Sequence, residues 1–179
     1  MRGFRSAILF GLVCALSIGL FVSCVFGPSK SIGVMSYRNG KVFLQNKDFY
    51  RVGTLPDSWQ RMKSRARAIS FYNDGYKTSI TTDAFCGKSF SDRPLDTLAG
   101  ELTSVLSDRT TVSTEDFMLD ERGAKRFLVI GKMDGVPLQM DIVVVKKNNC
   151  NFDFVAVMPP DASADVKRDF EGFFNGFHY

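Results

Sequence analysis

Four cysteines, one histidine and a short run of alternating basic residues are the side chains here from which chemistry could be built. A hydroxyl or thiol nucleophile needs a base beside it, most often histidine. His178 is the sole histidine, second from the end, in a segment expected to fray. No Gly-x-Ser-x-Gly occurs and no glycine-rich phosphate loop; Gly131 and Gly135 suit a bulge and a turn. Asp116, Asp120 and Glu121 are close enough in sequence to suggest acid–base work, yet they read as strand-end and turn residues facing water. Two thiolates are too few for a structural zinc, so no metal and no other cofactor is expected. This inventory points away from an enzyme.

The cysteines divide by position. Arg2 and Arg5 precede a stretch without charge from Ser6 to Ser29, and Lys30 ends it. A basic end, an apolar run and small residues beyond it describe a secretory signal. The basic flank stays in the cytoplasm, so the rest of the chain lies on the other side. Three fates are open: cleavage before Cys24 with lipid on its thiol, an uncleaved span, which needs roughly 20 apolar residues, or ordinary cleavage that frees the domain. Cys14 is an inert apolar residue of this run. With Cys14 and Cys24 accounted for, Cys86 and Cys150 remain, and two cysteines in an exported domain most often pair; two separate buried thiols are the alternative.

Leu20-Phe21-Val22-Ser23-Cys24 resembles the lipobox of bacterial lipoproteins. Ser23 fits the small residue that precedes the lipidated cysteine. The leucine expected three before the Cys stands one place too early. The resemblance implies a signal peptide over 1–23, lipid on Cys24 and a location in the cell envelope, on the periplasmic side of a membrane.

The chain carries a formal charge of +4, of which the two arginines before Cys24 supply +2, leaving about +2 (4 − 2) beyond it. Nucleic acid is therefore not an expected partner. Arg61, Lys63, Arg65 and Arg67 alternate, so an extended segment would place them on one face. They read either as a solvated loop or as a contact with anionic headgroups or an acidic partner. Trp59 beside them is either an interface anchor or a plug at one end of a core.

The elements that must position these residues follow from periodicity. Residues 25–38 are small and without period, and read as a tether. Lys41 to Gln45 and Phe49 to Leu55 alternate around Asn46-Lys47-Asp48, a hairpin. Ala68 to Tyr72 and Tyr76 to Phe85 flank Asn73-Asp74-Gly75, whose Asp-Gly pair suits a positive-φ turn. Asp92 as N-cap and Pro94 in the first turn open a helix with Leu95, Leu98, Leu102, Val105 and Leu106 on its buried face. Four strands follow: Phe117 to Leu119, a turn at Glu121-Arg122-Gly123, Lys125 to Met133, Val136 to Lys146 after Asp134-Gly135, and Cys150 to Met158 after Asn148-Asn149. Val143 and Val145 alongside Ile142 and Val144 mark a central strand covered on both faces. Pro159-Pro160 stops the last strand, and Val166, Phe170, Phe173, Phe174 and Phe177 form one apolar helical stripe. Gly172 and Gly176 weaken that helix by about 1 kcal/mol each. The product is one α+β domain over 39–179, an antiparallel sheet flanked by helices.

From Lys41 onward the chain resembles the PsbP-like family, which includes exported bacterial lipoproteins. The residues that carry this are Phe49-Tyr50-Arg51-Val52-Gly53-Thr54-Leu55-Pro56-Asp57-Ser58-Trp59 and the closing Phe-x-x-Phe-Phe-x-x-Phe of Phe170 to Phe177. The resemblance implies an α/β/α sandwich and an accessory role in binding proteins rather than catalysis. Fold alone does not give function. Two roles are expected on this reading: a non-enzymatic domain that binds an envelope protein at the membrane, or a carrier of a small apolar ligand in a cleft between sheet and terminal helix.

Overall fold

The computed structural model describes residues 31–63, 68–87 and 93–179. Cys24 and the rest of the signal lie outside them, as do Arg65, Arg67 and Asp92. Four two-residue turns organise the chain: Asn39-Gly40, Asp120-Glu121, Asp134-Gly135 and Asn148-Asn149. All eight residues have positive φ. That is the requirement of the tight hairpin turn whose twist matches its strands. Each closes an antiparallel pair in register, Arg38 opposite Lys41, Leu119 opposite Arg122, Met133 opposite Val136 and Lys147 opposite Cys150.

The strands are β1 (Ile32–Arg38), β2 (Lys41–Leu44), β3 (Phe49–Arg51), β4 (Gln60–Arg61), β5 (Ile69–Asn73), β6 (Thr78–Cys86), β7 (Ser107–Leu119), β8 (Arg122–Met133), β9 (Val136–Lys147) and β10 (Cys150–Met158). Two helices join them, α1 (Leu95–Leu102), continued by a tight turn over Thr103–Val105, and α2 (Ala164–Asn175). The sheet is antiparallel in the order β3-β2-β1-β6-β10-β9-β8-β7, with β5 beside β6 and β4 beside β5.

The sheet dominates and has a core on each face. Alternate residues of β9 serve opposite sides: Val143 and Val145 pack with Phe152, Phe154 and the α2 stripe, whereas Ile142 and Val144 pack with Leu98 and Ala99 of α1. Phe170, Phe173, Phe174 and Phe177 are all buried, so the α2 stripe is core. α1 is only eight residues long and leaves part of its face open. The expected α/β/α sandwich, a sheet flanked by helices, is therefore met only in part, because the sheet dominates.

Several expectations are corrected. The tether does not reach residue 38. Ile32–Arg38 is a strand, with Gly33 and Val34 buried against the sheet and paired through the Asn39-Gly40 turn to β2. β7 begins at Ser107 rather than Phe117, because backbone pairing with β8 carries a strand whose side chains are mostly exposed. The β7–β8 turn is Asp120-Glu121, one residue earlier than the glycine suggested. In the Asp74-Gly75 hairpin the positive φ falls on Lys77, and Asn73 Oδ1 accepts the Tyr76 amide at 3.3 Å. Pro94 takes the cap position of α1, and Val105 is 60% exposed.

Candidate functional site

Asp153 is an acid in the middle of β10 that no strand should bury without a partner. Sequence alternation turns it away from Phe152 and Phe154. That face is covered by α1, and Asp153 is only 7% exposed. Its Oδ1 has no hydrogen-bond partner among the described residues. Opposite it on β6 stands Asp83, and Glu101 of α1 adds a third carboxylate nearby. Burial first, and then the fields of Asp83 and Glu101, push the Asp153 carboxyl up to about 7. It lines a cavity of about 290 Å³ with Asn151, Phe85, Leu98, Leu102, Arg93 and Glu101. Arg93 is forked onto Glu101 across the rim, and Lys146 Nζ donates to the Arg93 carbonyl at 2.7 Å.

A group that keeps its proton to about pH 7 folded and releases it near 3.8 unfolded costs stability over that window. Nothing is lost below pH 3.8, the loss grows as pH rises to 7, and it stays constant above. Full linkage gives about 4 kcal/mol, from which the burial of an unpartnered amide subtracts on the order of 2. Asp153→Asn is therefore expected to fall ~2 kcal/mol below the wild type near pH 4 and to exceed it by ~2 kcal/mol at pH 8. Urea unfolding at the two values measures this; a gap independent of pH would refute it.

A second acid contradicts the expectation of surface solvation. Asp120 has a side chain 9% exposed and receives Lys147 Nζ at 2.6 Å, the Tyr179 amide at 2.8 Å and His178 Nδ1 at 2.8 Å. Burial opposes its charge, but these donors outweigh that and hold its carboxyl down to about 2. The histidine that should fray is thus held in place. His178 also exchanges backbone hydrogen bonds with Arg51, at 2.9 and 3.3 Å. The stabilisation is fully present above the ordinary 3.8 and lost as pH falls through about 2. Asp120→Asn is expected to cost about 2 kcal/mol at pH 7, leaving Lys147 without its counter-charge. Thermal melts at pH 7 and pH 2 test this, the difference closing at the acid end.

The remaining sites are structural. Cys86 and Cys150 form a disulfide, opposite one another on β6 and β10. Arg126 forks onto the buried Asp141 at 2.8 and 2.7 Å and reaches Glu171 of α2 at 2.9 Å, tying the sheet to that helix. Trp59 donates from Nε1 to Asp169 at 2.8 Å and is buried, a plug in the core rather than a surface anchor. Of the basic cluster, Arg61 bonds the Tyr37 carbonyl at 3.2 Å with its guanidinium 5.7 Å from that ring, and Lys63 is exposed. Asp116 and Glu121 are exposed. Among the described residues, no three of His, Cys, Asp and Glu are grouped to hold a metal ion, and no helix is long and apolar enough to cross a membrane.

Two places suit binding. The interface between sheet and α2 is filled by phenylalanine and keeps beside it a cavity of about 170 Å³ lined by Phe117, Arg126, Glu171 and Phe174; one of about 290 Å³ lies on the α1 face. The other place is β7, the last strand of the sheet order, which among the described residues pairs only with β8. Irregularities at Ser107/Thr110 and Thr111/Ser113 interrupt its first half, while Ser113 to Leu119 is regular. Val112 is 54% exposed and Met118 69%. Sequence reasoning missed both places, because neither has a motif.

No protein-family model and no curated protein sequence matches the chain. Solved structures do resemble it. A Bacteroides thetaiotaomicron protein overlaps 72% of this chain at a TM-score of 0.53 and 14% identity, and the chain spans 44% of that protein. Cyanobacterial PsbP from Synechocystis sp. PCC 6803 overlaps 89% of this chain and 99% of its own, at a TM-score of 0.53 and 11% identity. The fold is PsbP-like. At such identities the likeness establishes shape, and role must come from the residues.

Proposed function

We propose that this chain is an exported lipoprotein, held at a membrane through lipid on Cys24, whose domain binds another protein of the cell envelope and is not an enzyme. The open regular segment of β7, Ser113 to Leu119, is the observation that carries the binding role. An unpaired strand edge is a template for a partner's strand, with backbone hydrogen bonds supplying affinity and alternate side chains specificity. The disulfide between Cys86 and Cys150 fits an oxidising compartment outside the cytoplasm.

Two measurements test the two halves. Intact mass of the membrane-extracted protein is expected to start at Cys24 with acyl chains; a mass starting at Met1 would refute the lipoprotein. A photo-reactive residue replacing Met118 is expected to crosslink one envelope protein, and Ser113→Pro with Glu115→Pro should abolish that product. The same product from a probe at Met35, on β1, would show that the β7 edge is not the docking site.

A further inference from the structure

We propose that the partner strand received by the β7 edge carries a basic side chain, arginine above all, which enters the cavity between β7 and α2 and lies against Glu115 and Glu171. This rests on the docking at β7 proposed above and adds the chemistry that the docked segment must bring.

The first argument is placement. Glu115 stands opposite Arg126 in the β7–β8 register, and Phe117 opposite Ala124. Residues two apart on a strand share a face. The Phe117 ring lies 5.9 Å from that of Phe174, so this row of β7 faces α2. Glu115 and Phe117 line the cavity of about 170 Å³ together with Arg126, Glu171 and Phe174. A strand added to β7 would run roughly 4.8 Å beyond it. Every second side chain of that strand would stand on the same face, beside the cavity. The volume is below that of ordinary ligand pockets, and suits one side chain rather than a free ligand.

The second argument is charge. Arg126 forks onto the buried Asp141, which cancels its charge, and a third bond reaches Glu171. Glu115 is exposed and its side chain makes no ion pair among the described residues. Arg126 against Asp141, Glu171 and Glu115 leaves −2 (1 − 3) at the cavity. Lys167, one helical turn from Glu171, is exposed, and counting it still leaves −1 (−2 + 1). Lys125 points to the other face, where it meets Asp96 of α1. An arginine can bond both free carboxylates, while its stem and planar head cover the half-buried Phe117 ring.

The third argument excludes a second copy of this chain as the partner. The regular segment Ser113 to Leu119 holds Glu115 and Asp116 and no base. Two copies meeting edge to edge along it would bring acids together, and like charges on facing strands repel.

The probes are end-blocked heptapeptides of alternating threonine and valine whose central residue is arginine, glutamine or glutamate. They are titrated into the full chain in detergent and followed by amide NMR. Shifts over Ser113 to Leu119 report docking at the edge, whatever the central residue. The arginine peptide is expected to bind about five- to tenfold tighter than the glutamine peptide, and the glutamate peptide weaker than either. Glu115→Gln with Glu171→Gln should erase that ranking and leave the glutamine peptide unchanged. Equal binding of arginine and glutamine peptides with β7 shifts would overturn the basic side chain and leave the docking edge intact. A ranking that survives the double variant would overturn the site. No β7 shift with any of the three would overturn both readings. Nα-acetylarginine amide binding as tightly as the arginine peptide would show that the cavity takes a free cation and needs no strand.

Discussion

Gly53→Ala is expected to detach α2 and cost 4 kcal/mol or more, enough to unfold a domain of ordinary stability. A Cβ built on Gly53 would lie 2.0 Å from the Gly172 carbonyl oxygen and 3.0 Å from the Phe173 Cα. Those are backbone atoms, and no rotamer change moves them away. The Gly53 amide donates to the Phe173 carbonyl at 2.8 Å, so any retreat of the helix also breaks that bond. Gly176 meets the same segment from the other side: its Cβ would lie 2.3 Å from the Gly53 nitrogen. Gly172 differs, since a Cβ there meets nothing within 4 Å. Gly172→Ala should therefore stabilise α2 by about 0.5–1 kcal/mol through helix propensity. Urea midpoints of the two variants decide the matter. Similar losses in both would mean that the close approach of helix and loop is not what these glycines serve.

Reduction of the disulfide, or Cys86→Ala with Cys150→Ala, is expected to lower stability by ~4 kcal/mol, the loop-closure value for a separation of 64 residues. α1 and β7 to β9 all belong to the loop that the bond closes, so the unfolded chain gains much freedom when it opens. Cys86 and Cys150 are both buried, and the Tyr179 hydroxyl lies 3.6 Å from Cys150 Sγ. Denaturant unfolding with and without reductant gives the figure, and coincident curves would refute it. The Trp59 fluorescence midpoint is the convenient readout, because that ring is buried in the α2-side core.

Most of the fold could be read in the sequence where local chemistry and tertiary structure agree. Asp134-Gly135 and Asn148-Asn149 sit between alternating strands, and both are the turns expected. Cys150–Met158 has the bounds read for it, and the phenylalanine spacing of α2 gave the face that is buried. Two strands were hidden for different reasons. In β1, Gly33 and Ser36 imitate a linker, although Asn39-Gly40 is itself a strong hairpin signal. In β7, Ser107 to Asp116 holds one apolar residue, Val112, so the strand exists through its backbone pairing alone. Asp153 was readable in position but not in burial. The clue was on the neighbouring strand, where Ile142 and Val144 require a covered face; an acid beside them on that same face must share the cover. The hold of Lys147 and the chain's last residues on Asp120 had no sequence signal, because it joins residues 27 to 59 apart.

The bridge between Arg51 and His178, with the Gly53 amide on the Phe173 carbonyl, also bears on how the domain is made. The early β2–β3 hairpin closes against the last helix, and β6 pairs with β10 across most of the sequence between them. A chain made from its amino end could build hairpins as it emerges, but the α2-side core has no lid until α2 arrives. Until then Tyr50, Phe71, Phe152 and Phe154 face water together. Such distant pairings make folding slow, on the scale of milliseconds to seconds, and leave an interval in which holding factors are needed most. Removal of only the final helix would prolong that interval indefinitely.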